Sequence, residues 1–389
     1  MLGWSDALGE AALSGMPFHM RTGLAQAGCD VVVGRIGSLA AGTGWPPQTG
    51  GRISRIRARA HRGSVKVSQA LRIGSVTRDL ERRAVRAARL ADDAIRRWRP
   101  DVVFGPCMST PIGFLQSNVP ILYASDATAH LLQSTYGRYA PRDHERIECV
   151  HRFETPTLAR ADRSAGARDT TARSAVEDHG ADPERVVVVP FGANLQPAHG
   201  EALAVPASAP DMTRLDLLLT AADPERKRLS LCADIVAELR LRGWNVQLHY
   251  IGPRRSECDR EGVIWEGRLR LGDPEDSRKH LRLLRDCHLA LLPSLAEMFG
   301  ISPIESAAFG RPSVVSDVGG LPTVVEDGRT GRVVPVGTSV AGWADAVEAT
   351  AGPRIRYEAL SVAAFERQRS LLNWNSWGCS ARRLCEEIC

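Results

Sequence analysis

Long apolar runs are missing from this 389-residue chain. Stretches such as Val186 to Pro190 and Leu215 to Ala222 fall far short of the ~18–20 residues a helix needs to cross a bilayer, so an integral membrane protein is not expected. The first residues show no basic segment followed by an apolar one, so no export signal is read and a cytoplasmic location is expected. Cys-x-x-Cys pairs are absent too. The nine cysteines are scattered from Cys29 to Cys389, and an odd, irregular set argues against a disulfide framework or structural zinc. Reduced, mostly buried thiols are the expectation, and Cys379, Cys385 and Cys389 have no metal-site spacing. No phosphate loop of the Gly-Lys-Ser/Thr type occurs, nor a His-Glu-x-x-His pair, and Gly42-Thr43-Gly44 is followed by Pro47 where a dinucleotide fingerprint needs its third glycine. With ten dispersed histidines, neither a metal nor a tightly held cofactor is expected.

The composition itself is ordinary for a globular protein, with 43% hydrophobic and 24% charged residues, and the length suits two domains. A modest net charge of +5 conceals one basic region. Arg52, Arg55, Arg57, Arg59 and Arg62, then Arg82, Arg83, Arg86 and Arg89, recur at spacings that gather several on one helical face. That face reads as a solvated surface, or as a patch for an anionic membrane surface or a phosphorylated acceptor. Nucleic acid is the weakest reading, because no aromatic residues are interleaved to stack on bases.

From Leu215 onward, short apolar runs alternate with helical periodicity. Strands are expected at Leu215 to Ala221, Val246 to Ile251, Leu289 to Pro293, Ser313 to Ser316 and Arg332 to Val336, with a short apolar piece at Val263 to Trp265 and helices between. In the first half, Cys29 to Val33, Asp101 to Phe104, Pro120 to Ala124 and Arg185 to Val189 read as strands. The class is therefore α/β, with two parallel-sheet, Rossmann-like domains. The expected division is an N-terminal domain over 1–196, a linker over 197–212 rich in Ala and Pro, a second domain over 213–371 and a last helix over 372–389. Trp374 and Trp377 would anchor that helix across the domain interface. Met1 to Ser14 contains no β-branched residue, so the first strand of the N-terminal domain is expected to be missing, as in a chain whose translation begins further upstream.

In open α/β sheets ligands bind outside the carboxyl ends of the strands. The distinctive loops of the second half all follow strands: Asp223-Pro224-Glu225-Arg226-Lys227, Gly252, Ser294 to Gly300, and Asp317-Val318-Gly319-Gly320. The run from Ser294 to Glu305 puts Glu297 in a loop and Glu305 in the first turn of the following helix. Carboxylates there can accept hydrogen bonds from sugar and ribose hydroxyls. Backbone amides around Phe299, Gly300 and Ile301 suit a diphosphate, and Arg226 or Lys227 would add positive charge against it. Ser302-Pro303-Ile304-Glu305 also fits a capping box that needs no ligand; the shared rim with Glu297 favours the ligand role. For Lys227 the bland alternative is a solvated lysine at a helix start.

The spacing Glu297-x7-Glu305, the runs Gly310-Arg311-Pro312, Ser316-Asp317-Val318-Gly319-Gly320-Leu321-Pro322 and Asp327-Gly328-Arg329-Thr330-Gly331 resemble the donor half of family 4 glycosyltransferases, which have the GT-B fold. Asp223 to Lys227, Pro190 to Asn194 and Tyr123 to Thr128 resemble one bacterial branch of that family. The resemblance covers roughly residues 14–378. It implies two domains facing a cleft, and a retaining transfer from a nucleoside diphosphate sugar without a metal. It also implies that Glu297 contacts the donor hexose, Glu305 the ribose, and Lys227 with Arg226 the diphosphate. Gly15 would lie near the diphosphate, and Asp126 would act as a catalytic or acceptor-positioning side chain. The absence of an Asp-x-Asp pair agrees with metal independence. Many relatives carry an arginine where this chain has Ala222, so Arg226 is expected to substitute. The activity so implied is a hexosyltransferase acting on a glycan, lipid or small-molecule acceptor, with peripheral membrane contact in reach. A catalytically silent, nucleotide-sugar-binding relative serving as sensor or partner subunit is the alternative.

Overall fold

The structure is a computed structural model and describes residues 1–3, 15–36, 69–107, 109–136, 144–195, 213–270 and 272–389. It divides into two compact units. The first comprises Met1–Arg21, Gly28–Val188 and Ala381–Cys389, the second Thr22–Ala27 and Val189–Ser380. The expected linker over 197–212 lies outside the described residues, as do the arginines from Arg52 to Arg62.

In the first unit, β3 (Val103–Pro106), β4 (Ile121–Ser125), β5 (Arg163–Gly166) and β6 (Val186–Val188) form a parallel sheet in that order. Strand β5 has no counterpart in the sequence reading. Its Arg-Ser-Ala-Gly carries no apolar run; what makes it a strand is its place between β4 and β6, where Ser164 to Gly166 are buried. The missing first strand is corrected by the structure: β1 (Leu2–Gly3) pairs in parallel with β2 (Gly34–Arg35). The pairing rests on burial rather than on β-propensity, since Leu2 and Ile36 join the core that also holds Ile95, Val103 and Ile121. For the same reason the strand expected at Cys29 to Val33 appears only afterwards, in β2. Helices of this unit are α1 (Met16–Gln26), which the division enters, α2 (Gln69–Trp98), α3 (Ser109–Ile112), α4 (Ala129–Tyr136), α5 (His144–Arg160) and α6 (Asp169–Glu177). On α2, Ala84, Ala87, Ala88, Ala91 and Ile95 turn into the core while Arg82, Arg83, Arg86, Arg89, Arg96 and Arg97 are exposed, the amphipathic division that the arginine spacing predicts.

The second unit is built on six parallel strands: β7 (Leu215–Thr220), β8 (Val246–Ile251), β9 (Val263–Gly267), β10 (Leu289–Leu292), β11 (Ser313–Ser316) and β12 (Gly331–Val334). Their order across the sheet is β12-β11-β10-β7-β8-β9. The chain moves outward from β7 in one direction through β8 and β9, then returns to β10 and moves outward in the other. The border between β7 and β10 is therefore a topological switch point, where the loops leaving adjacent strands diverge and open a crevice. Around the sheet lie α7 (Leu229–Leu241), α8 (Pro274–Asp286), α9 (Ile301–Ala307), α10 (Leu321–Val324), α11 (Val340–Ala351), α12 (Arg354–Ser370) and α13 (Trp374–Glu386). Trp374 and Trp377 are buried anchors of α13. Trp374 stacks on Phe191 at 5.4 Å and its indole N–H donates to Asn194 Oδ1 at 3.0 Å.

Of the eight cysteines whose side chains are described, only Cys232 and Cys287 are fully buried, which corrects the expectation of mostly buried thiols; all eight are free. No helix among the described residues is long and apolar enough to cross a membrane.

Candidate active site

The loops that leave β7 and β10 meet at the switch point. The β7 loop, Asp223 to Arg228, is held to the β10 loop by a backbone bond from Leu295 N–H to Arg226 C=O at 2.9 Å. Through this bond the two loops bring their charged side chains together. Arg226 Nη1 donates to Glu297 Oε2 at 2.9 Å and also reaches the Ala296 carbonyl. Lys227 Nζ lies 3.9 Å from the same Glu297 oxygen and donates to the Thr220 carbonyl at the end of β7, 3.1 Å away. Ser294 Oγ donates to Glu297 Oε2 at 3.3 Å, a contact the sequence offered no reason to single out.

Burial shapes the charges of this cluster. It would raise the Glu297 carboxyl, but the charges of Lys227 and Arg226, with hydrogen bonds from Arg226 and Ser294, hold it below the ordinary range, so Glu297 is ionised. For Lys227 burial wins and lowers its pKa, with the Glu297 charge opposing. Burial likewise pushes Glu305 up to about 7, opposed by the Lys227 charge.

Glu305 corrects one expectation and removes the bland alternative to its ligand role. It sits at the fifth position of α9, in the second turn rather than the first, because the helix begins at Ile301. The N-cap is Gly300, with no side-chain cap bond, so the Ser302-to-Glu305 capping box is not formed. Among the described residues no hydrogen bond reaches the Glu305 carboxylate, which is 6% exposed; the Nε2 of the equally buried His280, on α8, stands 3.9 Å away. A buried carboxyl in this state is costly unless something supplies donors, and a ligand hydroxyl would do so. His280 carried no sequence signal, being one histidine on an amphipathic helix.

The loop that carries Glu297 is fixed by packing. Phe299 is buried edge-to-face against Phe191, with ring centroids 5.5 Å apart. Gly300 turns the chain at φ +101°, and Gly320 lets the β11 loop pass so close that an added Cβ would stand 2.6 Å from the Met298 carbonyl. Ile301 is half-buried at the start of α9. Arg226, Lys227, Glu297, Phe299, Gly300, Ile301 and Glu305 are thus brought to one rim of the second unit. Gly15 and Asp126 belong to the first unit: Gly15 precedes α1 at φ +79°, and Asp126 follows β4. A cavity of about 620 Å³ beside the β7 loop, lined by Glu225, Arg228, Asp234 and Arg255, does not include the Glu297 cluster. Among the described residues no group of three or more His, Cys, Asp or Glu is arranged to hold a metal ion.

Residues 215–351, which carry this whole rim, match the family model described as Glycosyl transferases group 1. This segment belongs to that family. A D-inositol 3-phosphate glycosyltransferase of Nocardia farcinica is 32% identical over 314 residues, 72% of this chain. The chain spans 64% of that relative's length, less than two thirds. Among solved structures, a glycosyltransferase from Rickettsia africae superposes over 97% of this chain and 96% of its own, with a TM-score of 0.62 at 12% identity. A sucrose-phosphate synthase from Thermosynechococcus elongatus covers 79% of each chain with a TM-score of 0.58 at 20% identity. The fold is that of the GT-B glycosyltransferases: two parallel sheets with alternating helices. Residues 215–351 thus share the family in sequence, and the whole chain shares the fold.

Proposed function

We propose that this chain is a retaining hexosyltransferase that takes its sugar from a nucleoside diphosphate donor and passes it to a glycan, lipid or small-molecule acceptor. One observation carries the reading: an ionised glutamate, an arginine and a desolvated lysine, delivered by two different strand ends, converge at the switch point of a parallel sheet. In this reading Glu297 accepts hydrogen bonds from the hexose hydroxyls, and the unpartnered Glu305 accepts those of the ribose. Lys227, with Arg226, balances the diphosphate, a role in which a fixed charge in a water-poor site stabilises the leaving group as its charge develops. Asp126 and Gly15 serve the acceptor and diphosphate ends.

Retention follows from attack on the face the diphosphate leaves. The C1–O bond to the phosphate breaks, the acceptor oxygen bonds to C1, and the acceptor proton passes to the departing phosphate oxygen. No metal or resident cofactor enters this scheme. The arginine face of α2 suits an anionic membrane surface, which would make the protein peripheral and give it access to lipid acceptors.

The decisive experiment is transfer and hydrolysis of uridine and guanosine diphosphate hexoses by the wild type and Glu297→Gln. A phosphorylated polyol, of the kind for which the Nocardia relative is named, is the first acceptor to assay. We expect kcat/KM to fall by about 100-fold or more in the variant. Equal rates in the two proteins would remove the assigned role.

A further inference from the structure

The first unit contains a buried carboxylate that the donor scheme leaves unused. Glu154, on α5, is 2% exposed, and both of its oxygens are occupied. Oε1 accepts from the Tyr123 hydroxyl at 3.0 Å, and Oε2 accepts in a short bond from the backbone N–H of Ala129, the first residue of α4. Tyr123 stands three positions before Asp126 and Ala129 three positions after it, so one carboxylate holds both ends of the turn that carries Asp126. The rest of that turn is fastened as well. Ser125 Oγ donates to the Ala127 carbonyl at 2.7 Å, and Thr171 Oγ1 donates to the Asp126 carbonyl at 2.6 Å. Thr128 Oγ1 lies 2.6 Å from Ser174 Oγ, which in turn donates to Asp178 Oδ2.

A neutral side chain holds this turn less firmly than the carboxylate. Glutamine could accept from the Ala129 N–H and donate to a reversed Tyr123 hydroxyl, but both bonds would lose the charge that strengthens them. The carboxylate keeps this place without a lysine or arginine: among the described residues the one basic group within 4.0 Å of it is His179, whose Nε2 is 3.5 Å from Oε2. Such a group is costly to bury and is retained where its ionised form has work to do.

We propose that Glu154 is a positioning residue, which in its ionised form clamps the turn presenting Asp126 and so sets the rate of transfer. The inference rests on the reading of Asp126 given above. Burial pushes the Glu154 carboxyl up to about 7, against the hydrogen bonds from Ala129 and Tyr123 that favour the ion. The groups facing it come from every neighbouring element. Tyr123 of β4 is held well above its usual range by burial and by the Glu154 charge, and Cys107 after β3 is also raised by burial. Asp126 opposes ionisation of Glu154 from the turn itself. His179, beyond α6, is pushed down to about 4, first by burial and then by His151, and is neutral. His151 of α5 stacks on it at 4.4 Å, with His130 of α4 and Asp178 beyond. Protonation of Glu154 reverses the Tyr123 bond and removes the charge that strengthens the bond from the Ala129 N–H, so the clamp loosens as pH falls through about 7.

The test combines kinetics with an observation of the turn. Wild-type kcat is expected to fall on the acid side with an inflection near 7, the KM for donor staying constant. In Glu154→Gln the inflection disappears and kcat drops more than tenfold. Tyr123→Phe removes one donor to the ion and moves the inflection to higher pH, giving a readout should Glu154→Gln fold poorly; His151→Asn leaves the inflection in place. In parallel, the Ala129 amide resonance of ¹⁵N-labelled protein should titrate near 7 in the wild type. An Ala129 amide indifferent to pH between 5 and 9, or a Glu154→Gln profile that superposes on the wild type, overturns the proposal. Full activity in Asp126→Asn would instead sink the reading of Asp126, leaving the Ala129 titration to decide the clamp.

Discussion

Arg226 shows how a single side chain can hold a site together before any substrate arrives. Its backbone carbonyl and its guanidinium both bind the Glu297 loop, so one residue fixes the course of that loop and the glutamate's carboxylate together. Gly320 acts on the same loop by having no side chain. Gly320→Ala would drive a Cβ to 2.6 Å from the Met298 carbonyl, a contact that only backbone movement relieves. We expect it to destabilise the protein by about 1–3 kcal/mol and to weaken donor binding more than tenfold, measured by urea denaturation and calorimetry. Unaltered donor affinity would mean that the loop tolerates the shift. At this scale the sequence was informative where chemistry follows from local order, as for Glu297 and Lys227. It was silent on Ser294, His280 and Glu154, whose partners lie on other elements.

Among the elements, β7, β8 and β9 carry a charged chain across one face of the sheet. His249 Nδ1 lies 2.7 Å from Glu266, which Lys279 also holds at 2.7 Å; Asp216 is bound by Arg214 at 2.8 Å and lies 3.5 Å from His249. Burial opposes charge on His249, but bonds to Asp216 and Glu266 overcome it and raise its pKa to about 9. Because this exceeds the unfolded value near 6.5, the stability it contributes is complete below about 6.5 and is lost as pH rises through about 9. Urea midpoints should therefore fall between pH 7 and 10 in the wild type. His249→Gln should flatten that slope while costing about 1–3 kcal/mol at pH 6.5, since Glu266 and Asp216 each lose one of two cationic partners and keep only Lys279 and Arg214. An identical slope in the variant would assign it to other groups. The elements themselves were legible to the extent that they repeat: apolar runs of the second unit became strands within one or two residues of the expected bounds. Strands β1 and β5 were not, since Leu-Gly and Arg-Ser-Ala-Gly acquire strand character only from the neighbours that bury them.

For the whole molecule the clearest asymmetry is the outer face of α2. Arg82, Arg83, Arg86 and Arg89 are exposed there together with Leu90 and Trp98. Each arginine near an anionic bilayer contributes about 1 kcal/mol. Sedimentation with phosphatidylglycerol vesicles should therefore exceed that with phosphatidylcholine vesicles and weaken with salt. It should fall more than tenfold when the four arginines are changed to glutamine, with donor hydrolysis preserved. Vesicle binding that is insensitive to these changes would leave the face as a solvated surface.

Periodicity by itself determined the class of the fold, because alternating strand and helix patterns admit few solutions other than parallel sheets covered by helices. It also determined that the polar and glycine-rich loops share one rim, since every strand in such a sheet points the same way. Only the tertiary structure decided where along that rim the chemistry gathers. The strand order places β7 beside β10, across the point where the chain reverses its direction of growth, and strand order depends on packing between segments some seventy residues apart. The same holds for the state of Glu305: its sequence neighbourhood allowed a helix cap, and burial beside His280 without a donor left it a carboxyl open to a ligand.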